Sequence, residues 1–397
     1  MLRSLFSGIS GLRAHQQMMD VTGNNISNVN TTGYKTSQTV FQDTLSQMVR
    51  AAGSPQGGAG GTNPAQIGLG VTTASVNVNF NQGSAQTTGK SSDMMIQGDG
   101  FFIVKNGGEN LFTRAGSFTF DANGALTTAN GDIVQGWTAT NGVVNNAGLP
   151  GDIKLPIGVT LSPSETTNIT LTGNFSNDAV PNDATDATST KQIPIKSVYD
   201  ATGAEVPLTV TLTKTATDTW TIDVPAHGTT AADSQPITFT NGRATGTVTA
   251  GGFTFDVSAL TQFSGGNDAR VSNSDGAAAG VLRSYTVSNS GEIVGVFSNG
   301  LTETLGQVAL ANFNNANGLE KVGESMYRST PNSGLAQIGA AGTTGLGTIM
   351  SGALEMSNVD LAQEFTNLVI AQRGFQANSR VITTSDELLQ ELVNLKR

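Results

Sequence analysis

The sequence has no cysteine, only two histidines and few charged side chains. Charged residues make up 13% of its 397 residues, whereas soluble domains usually have about 25%. The absence of cysteine excludes disulfides, thiolate metal ligands and cysteine nucleophiles. With 20 basic against 30 acidic residues, the chain also lacks the positive charge of an ordinary nucleic-acid-binding protein.

Long hydrophobic runs are missing as well. No apolar run approaches the ~18 residues that a membrane helix requires, so we expect no membrane insertion. The first residues include Arg3, but no continuous apolar stretch and no small-residue cleavage site follow it. We therefore expect no cleaved signal peptide.

Residues that could carry enzyme chemistry are scarce. The two histidines, His15 and His227, do not form a pair at metal-ligand spacing. A Ser-His-Asp triad would need one of them, and we expect both at the surface. Gly68-Leu69-Gly70 and Gly98-Asp99-Gly100 lack the third glycine of a dinucleotide-binding loop and are interpreted as tight turns. The sequence therefore predicts no catalytic residue, no metal site and no cofactor, and we expect a protein that is not an enzyme.

Glycine, threonine, asparagine and serine dominate the middle of the chain instead. Segments such as 76–80 and 101–104 have the alternating or continuous apolar pattern of strands. Asn-Gly pairs recur between such segments, and this pair is a strong hairpin signal. Residues 71–352 show no long amphipathic helix pattern, so they predict antiparallel β structure of a sandwich or barrel type.

Both ends of the chain follow a different pattern, in which apolar residues recur every seven positions. This spacing predicts a long helix at each end. The N-terminal helix, of about 25 residues, carries the row Leu5, Leu12, Met19 and Ile26. The C-terminal helix is expected over residues 358–395 with its N-cap at Ser357. Its row consists of Leu361, Phe365, Leu368, Phe375, Ile382 and Leu389.

We name these ten residues the polymerisation seam. Burying an apolar side chain is worth ~1.5–3 kcal/mol, so two lone helices would leave a large unfavourable apolar surface. We therefore expect the helices to form a coiled-coil-like pair and to contact helices of other copies of the chain. The spacing alone leaves an alternative open, in which the rows only hold the two helices of one chain together.

The composition divides the chain into nested segments, and the fold class that it predicts is mainly β with helical termini. The inserted segment carries most of the net negative charge. The expected domains are a terminal helical polymerisation domain (1–35 and 354–397), a linker (36–70), a discontinuous β domain (71–145 and 282–353) and an inserted outer β domain (146–281).

Several motifs resemble the axial rod and hook protein family of the bacterial flagellum. They occupy residues 11–14, 24–35, 100–104, 112–118, 134–137 and 357–389. In the second of these segments, the residues that match the family motif are Asn24, Asn25, Asn28, Gly33, Tyr34 and Lys35. Segments 168–175 and 198–204 resemble the insert of hook members, whereas the resemblance implies that distal rod members are much shorter and lack a large insert.

The resemblance implies a structural subunit that polymerises with copies of itself into a curved, flexible tube. Such a tube acts as a universal joint and transmits torque from rod to filament. The implied partners are the distal rod protein, the hook cap protein, the hook–filament junction protein and the flagellar export apparatus. The implied location is extracellular, in the flagellar hook, after export without a cleaved signal peptide. Two alternatives stay open: a distal rod protein, and a secreted β-rich adhesin, which the composition alone would allow.

Overall fold

Two long helices lie at the ends of the chain, α1 (Leu2–Ser27) and α2 (Leu361–Asn394), and strands fill the sequence between them. The structure, a computed structural model, describes residues 2–55, 60–140, 142–155, 160–181, 189–228, 230–343 and 345–394. Both predicted terminal helices are confirmed, and they pack against each other. Within the described residues, neither helix has the length and apolar character needed to cross a membrane.

The start of α2 differs from the prediction. The Asp360 carboxylate accepts the backbone N–H groups of Ala362 and Gln363, at 2.9 and 3.3 Å, and therefore caps the helix. The predicted N-cap at Ser357 is wrong, because its hydroxyl instead accepts the N–H of Val359 before the helix begins.

The chain forms two compact units, each with its own β structure. The terminal unit comprises Met1–Leu155, Thr286–Val294 and Thr304–Arg397, and the inserted unit comprises Pro156–Tyr285 and Gly295–Glu303. The helices belong to the same unit as the strands near residue 100. The helical segments, expected as a domain of their own, therefore form one unit with β structure.

The strands are numbered along the chain. Up to residue 155 they are β1 (Ser37–Asp43), β2 (Ser46–Arg50), β3 (Ala65–Gly68), β4 (Val71–Val78), β5 (Ala85–Thr87), β6 (Met94–Gln97), β7 (Phe101–Asn106), β8 (Glu109–Thr113), β9 (Phe118–Phe120), β10 (Leu126–Thr128), β11 (Ile133–Thr140), β12 (Val143–Val144) and β13 (Gly151–Asp152). The next are β14 (Thr160–Leu161), β15 (Asn168–Ser176), β16 (Thr190–Ile195), β17 (Leu208–Ala216), β18 (Thr219–Val224), β19 (Asp233–Thr240), β20 (Arg243–Ala244), β21 (Thr247–Ala250), β22 (Phe253–Phe263), β23 (Arg270–Ser274) and β24 (Gly280–Val287). The remaining strands are β25 (Glu292–Phe297), β26 (Thr302–Asn312), β27 (Glu320–Gly323), β28 (Met326–Arg328), β29 (Gln337–Ala340), β30 (Thr348–Ser351) and β31 (Ala353–Glu355), and a short 3-10 helix spans Ala316–Gly318.

The core of the terminal unit is built around β7. This strand pairs with β8, β11 and β26, all antiparallel. Residues 101–104 are all buried, which is why this strand is a continuous apolar run in the sequence. Phe101 packs edge-on against Phe80, Phe313 and Tyr327, with ring centroids 5.4 to 6.0 Å apart. The predicted strand at 101–104 and the turn that follows it are confirmed.

The segment 36–70, for which a linker is expected, contains three strands. β1 pairs antiparallel with β4, and β2 pairs antiparallel with β3. Residues of α1 also contact β1 and β4. Alternating polar and apolar residues allow these strands to pair. The prediction of a linker came from the glycine-rich run 53–61. Part of that run, residues 56–59, lies outside the described residues.

The inserted unit has a sheet in the order β16-β17-β18-β19-β20-β22-β15-β23, with β21 on β22. Its core contains Trp220 stacked on Phe175, with ring centroids 4.4 Å apart. β15 and β22 pair in parallel, which corrects the expectation of a purely antiparallel domain. Parallel neighbours require a long crossover, and β16 to β21 supply it between these two strands.

Candidate assembly site

α1 and α2 approach each other through glycines. Gly8 faces Ile382 near one end of the pair, and Gly374 faces His15 further along, so the helices run antiparallel. A methyl group at Gly11 would lie 2.6 Å from a side-chain oxygen of α2. At these glycines, side chains of one helix (Ile382, His15 and Asn378) therefore pack directly against the backbone of the other.

The covered side of α2 has a seven-residue spacing of its own. Ala371 is fully buried, Glu364 and Ser385 are 9% and 7% exposed, and Asn378, which contacts Gly11, is half-buried. These four side chains are small or polar. This row of α2 thus carries no large apolar side chain, although Ile382 beside it packs against Gly8.

The polymerisation seam lies beside this covered side and stays partly uncovered. On α2, Leu361, Phe365 and Phe375 are 40%, 52% and 36% exposed. The other seam residues are half-buried, and these are Leu5, Leu12, Met19, Ile26, Leu368, Ile382 and Leu389. None of the ten is fully buried within the chain. A seam that served only this helix pair would be enclosed between the two helices.

Further apolar side chains extend the uncovered surface, and the seven-residue spacing did not reveal them. On the helices they are Phe6, Val369, Ile370, Val381, Leu388 and Val393, each at least 42% exposed. The hairpin β2–β3 adds Leu45, Met48 and Val49, which are 84%, 58% and 62% exposed. Exposed apolar surface of this extent marks an interaction site.

The family-motif residues lie where α1 passes into β1. Asn25 is 1% exposed, and its amide binds the backbone of Ser37 in both directions: Nδ2 donates to the carbonyl at 2.8 Å, and Oδ1 accepts the N–H at 3.0 Å. Asn28 donates to the carbonyl and the side-chain oxygen of Asn24, at 2.9 and 2.6 Å. Asn25 therefore fixes the first strand residue against the helix end, while Asn24 and Asn28 close the last helical turn.

Gly33 and Tyr34 form the next contacts. Gly33 has φ +68°, and a Cβ there would lie 2.7 Å from the Cα of Ala115, so only glycine fits. Tyr34 is 4% exposed and donates its hydroxyl to Asn25 Oδ1 at 3.0 Å. Burial, reinforced by the negative charge of Glu364, raises the pKa of Tyr34.

Lys35 belongs to a buried ion cluster. Its ammonium donates to Glu355 Oε1 at 2.6 Å and to the carbonyl of Asn81 at 2.8 Å. Arg114 Nη1 lies 3.5 Å from Glu355 Oε2, and the three charged side chains are at most 3% exposed. Burial lowers the pKa of both Lys35 and Arg114, and the carboxylate of Glu355 opposes that effect. Sequence spacing could not reveal this cluster, because Lys35 and Glu355 are 320 positions apart.

The two histidines are half-buried, and each packs one face or edge against an aromatic ring. His15 contacts Phe41 edge-on at 5.9 Å between centroids, and His227 stacks on Phe253 at 4.8 Å. Among the described residues, no cluster of His, Asp or Glu could hold a metal ion.

Comparisons with known proteins match this chain from end to end. Three family models match: "Flagella basal body rod protein" over residues 5–35, "Flagellar hook protein FlgE/F/G D1 domain" over 95–188 and "Flagellar basal body rod FlgEFG protein C-terminal" over 350–395. The flagellar hook protein FlgE of Borreliella burgdorferi is 39% identical, with 100% of both chains covered. The chain belongs to the flagellar hook protein family.

Two further comparisons refine the place of this hook-family chain. A solved structure of the Helicobacter pylori flagellar hook protein FlgE2 matches with a TM-score of 0.51 and 15% identity, covering 68% of this chain and 100% of that one, which supports the fold. The flagellar basal-body rod protein FlgG of Bacillus subtilis is 34% identical, with 100% of both chains covered. A relative that is named as a rod protein therefore also covers the whole chain, so coverage alone does not separate hook from rod members.

Proposed function

We propose that this chain is the structural, non-enzymatic subunit of the flagellar hook and polymerises with copies of itself into a curved, flexible tube. The polymerisation seam is the surface that we assign to this contact. The observation that carries the proposal is the uncovered state of the seam beside a helix pair that is already closed by small and polar residues. One chain covers this apolar row only in part, and another copy can cover the rest.

A contact of this kind produces a tube by repetition. When one surface of a subunit binds a different surface of the next, rotation and rise repeat without closing, and a helical polymer results. The apolar helix rows supply the affinity, because covering apolar surface is favourable. The β segments are rich in Gly, Thr and Asn, and contacts formed mainly by small and polar side chains can slide as the tube bends. This division of roles suits a universal joint that transmits torque.

The seam is tested by placing charge in it. We expect the double variant Leu368→Asp/Phe375→Asp to block assembly, because buried carboxylates without partners are costly. The matched control is Gln376→Asp/Thr383→Asp, which adds two carboxylates at exposed polar positions of the same helix. Negative-stain microscopy measures tube formation, and near-ultraviolet circular dichroism checks the β units. Normal tubes from the seam variant would show that the seam assignment is wrong.

Location and partners belong to the same proposal. We infer an extracellular place in the hook after export by the flagellar apparatus. There the chain would contact the distal rod protein, the hook cap protein and the hook–filament junction protein. In a strain deleted for this gene, loss of the hook with an intact rod supports this place. Loss of the distal rod contradicts it.

The distal rod remains the second candidate, because the Bacillus subtilis rod relative covers the whole chain. The shape of the polymer distinguishes the two. Purified protein that assembles into curved tubes supports the hook, whereas straight rigid rods support the distal rod protein. Monodisperse elongated particles would instead favour a secreted β-rich adhesin.

A further inference from the structure

The two chain ends meet the β core at one place, which we name the terminal joint: residues 33–37 after α1 and residues 355–358 before α2. Backbone N–H groups of the first segment donate hydrogen bonds to the second. The N–H of Gly33 donates to the carbonyl of Glu355, and the N–H of Thr36 donates to Asn358 Oδ1, both at 2.8 Å. Each segment therefore completes hydrogen bonds that the other would leave unmade in a buried place.

We propose that Glu355 makes the ordering of the two segments mutually dependent, so that neither settles on the core until the other is present. The assignment does not rest on polymerisation, because every contact involved lies within one chain.

Charge is the first reason. Lys35 and Arg114 are both buried, and Glu355 is the only described carboxylate within 4 Å of either one. Asp99 acts on Arg114 only at longer range. Without Glu355, two cations would be buried together with no counter-charge, which proteins strongly disfavour. The first segment therefore cannot bury Lys35 beside Arg114 until the second has arrived.

The dependence also runs in the other direction. Glu355 Oε1 accepts from Lys35 and from the N–H of Gly83, at 2.6 and 2.9 Å. Its other oxygen, Oε2, has no hydrogen-bond partner in the described protein and faces Arg114 at 3.5 Å. Removal of Lys35 would leave this carboxylate with one backbone hydrogen bond and one long ionic contact. The second segment therefore needs the first.

An exposed ion pair in the same unit provides the contrast. Arg328 and Glu109 approach to 2.6 Å, the same distance as in the joint, but their side chains are 40% and 51% exposed. Water can solvate either partner alone, so loss of this pair has little effect. The difference between the two pairs is burial, and burial creates the mutual dependence.

Hydrogen exchange with mass spectrometry on the full-length, unassembled chain tests the proposal. We expect Glu355→Gln to reduce protection by more than about 100-fold at both Gly33 and Thr36, although the change lies in the other segment. We expect Lys35→Met to reduce protection reciprocally at Met356, whose N–H donates to Ser84. The amides of β7 and β8 serve as the internal reference, and Glu109→Gln is the matched control that should change neither segment.

A milder variant keeps the test decisive if Glu355→Gln also unfolds β7 and β8. Asn358→Ala removes only neutral hydrogen bonds, to Thr36, Asn79 and Asn81. It should still reduce protection at Gly33, whose N–H donates to the carbonyl of Glu355 and not to Asn358, while β7 and β8 stay protected. Loss of protection confined to the substituted segment would overturn the proposal. Equally fast, unprotected exchange of both segments in the wild type would overturn it as well.

Discussion

Phe365 allows the strongest quantitative test of the polymerisation seam. Its side chain is 52% exposed in the single chain, which leaves about 100 Å² uncovered if a phenylalanine presents roughly 200 Å². At about 25 cal/mol per Å², covering that area in the polymer contributes about 2.5 kcal/mol per subunit. This free energy corresponds to about 60-fold in the association constant. We therefore expect Phe365→Ser to raise the critical concentration for assembly about 60-fold.

The assay is sedimentation of assembled protein over a concentration series, with thermal unfolding of the unassembled chain measured in parallel. The free energy of unfolding should fall by up to about 2.5 kcal/mol, because the other half of the side chain, again about 100 Å², is covered within the chain. A critical concentration equal to that of the wild type would refute the reasoning. So would a large loss of chain stability without an effect on assembly, because Phe365 would then serve the single chain.

Three further predictions concern the helix pair, the end of α1 and the inserted unit. In denaturant unfolding, Gly23→Ala, which has open space, should stabilise the terminal unit by about 0.5–1 kcal/mol. Gly11→Ala should lose this gain, because the methyl group would displace the Asn378 side chain from its hydrogen bond to the Gly374 carbonyl, which is worth about 1 kcal/mol, and an equal gain in both variants would contradict the packing described. Asn25→Ala should cost about 2 kcal/mol or more, because a buried backbone N–H and carbonyl lose their partner, whereas the exposed Asn24→Ala should have little effect in the same assay. For Asp275, partial burial opposes ionisation, but hydrogen bonds from the neighbouring β15 end outweigh it and lower the pKa to about 2. Since the folded-state pKa lies below the unfolded one, Asp275 stabilises the inserted unit above pH ~4, and this is lost as the pH falls towards 2. Calorimetry should show Asp275→Asn less stable than wild type by about 1 kcal/mol at pH 7, after allowance for solvent screening, and equal to it near pH 2.

The sequence predicted those elements of the fold that depend on residues close together in the chain. The seven-residue rows predicted both terminal helices, because the periodic spacing of apolar residues in a helix is visible within a short stretch of sequence. The apolar run 101–104 gave β7, because a strand buried on both faces has no polar positions. The start of α2 was predicted at the wrong residue because both Ser357 and Asp360 are good N-cap residues. Only the three-dimensional path of the chain decides between them.

The parts that could not be predicted depend on distant residues. Nothing near Lys35 in sequence shows that its ammonium is buried against Glu355. Likewise, Gly11 and Gly374 are ordinary glycines in sequence, and their role appears only when two helices from opposite ends of the chain meet. The parallel pairing of β15 with β22 is also a property of topology, since each strand alone fits either direction.

The terminal joint has a consequence for which helices pair. Lys35 and Glu355 are 320 positions apart in the chain, but the joint holds them together. About a dozen residues then separate the facing helix ends, and closing so short a connection costs roughly 3 kcal/mol less than closing a flexible chain of roughly 300 residues. That advantage belongs only to helices of the same chain. Where many identical subunits are crowded together, this advantage favours the pairing of each α1 with the α2 of its own chain over the exchange of helices between neighbours. Each subunit then keeps its own helix pair and remains a separate unit.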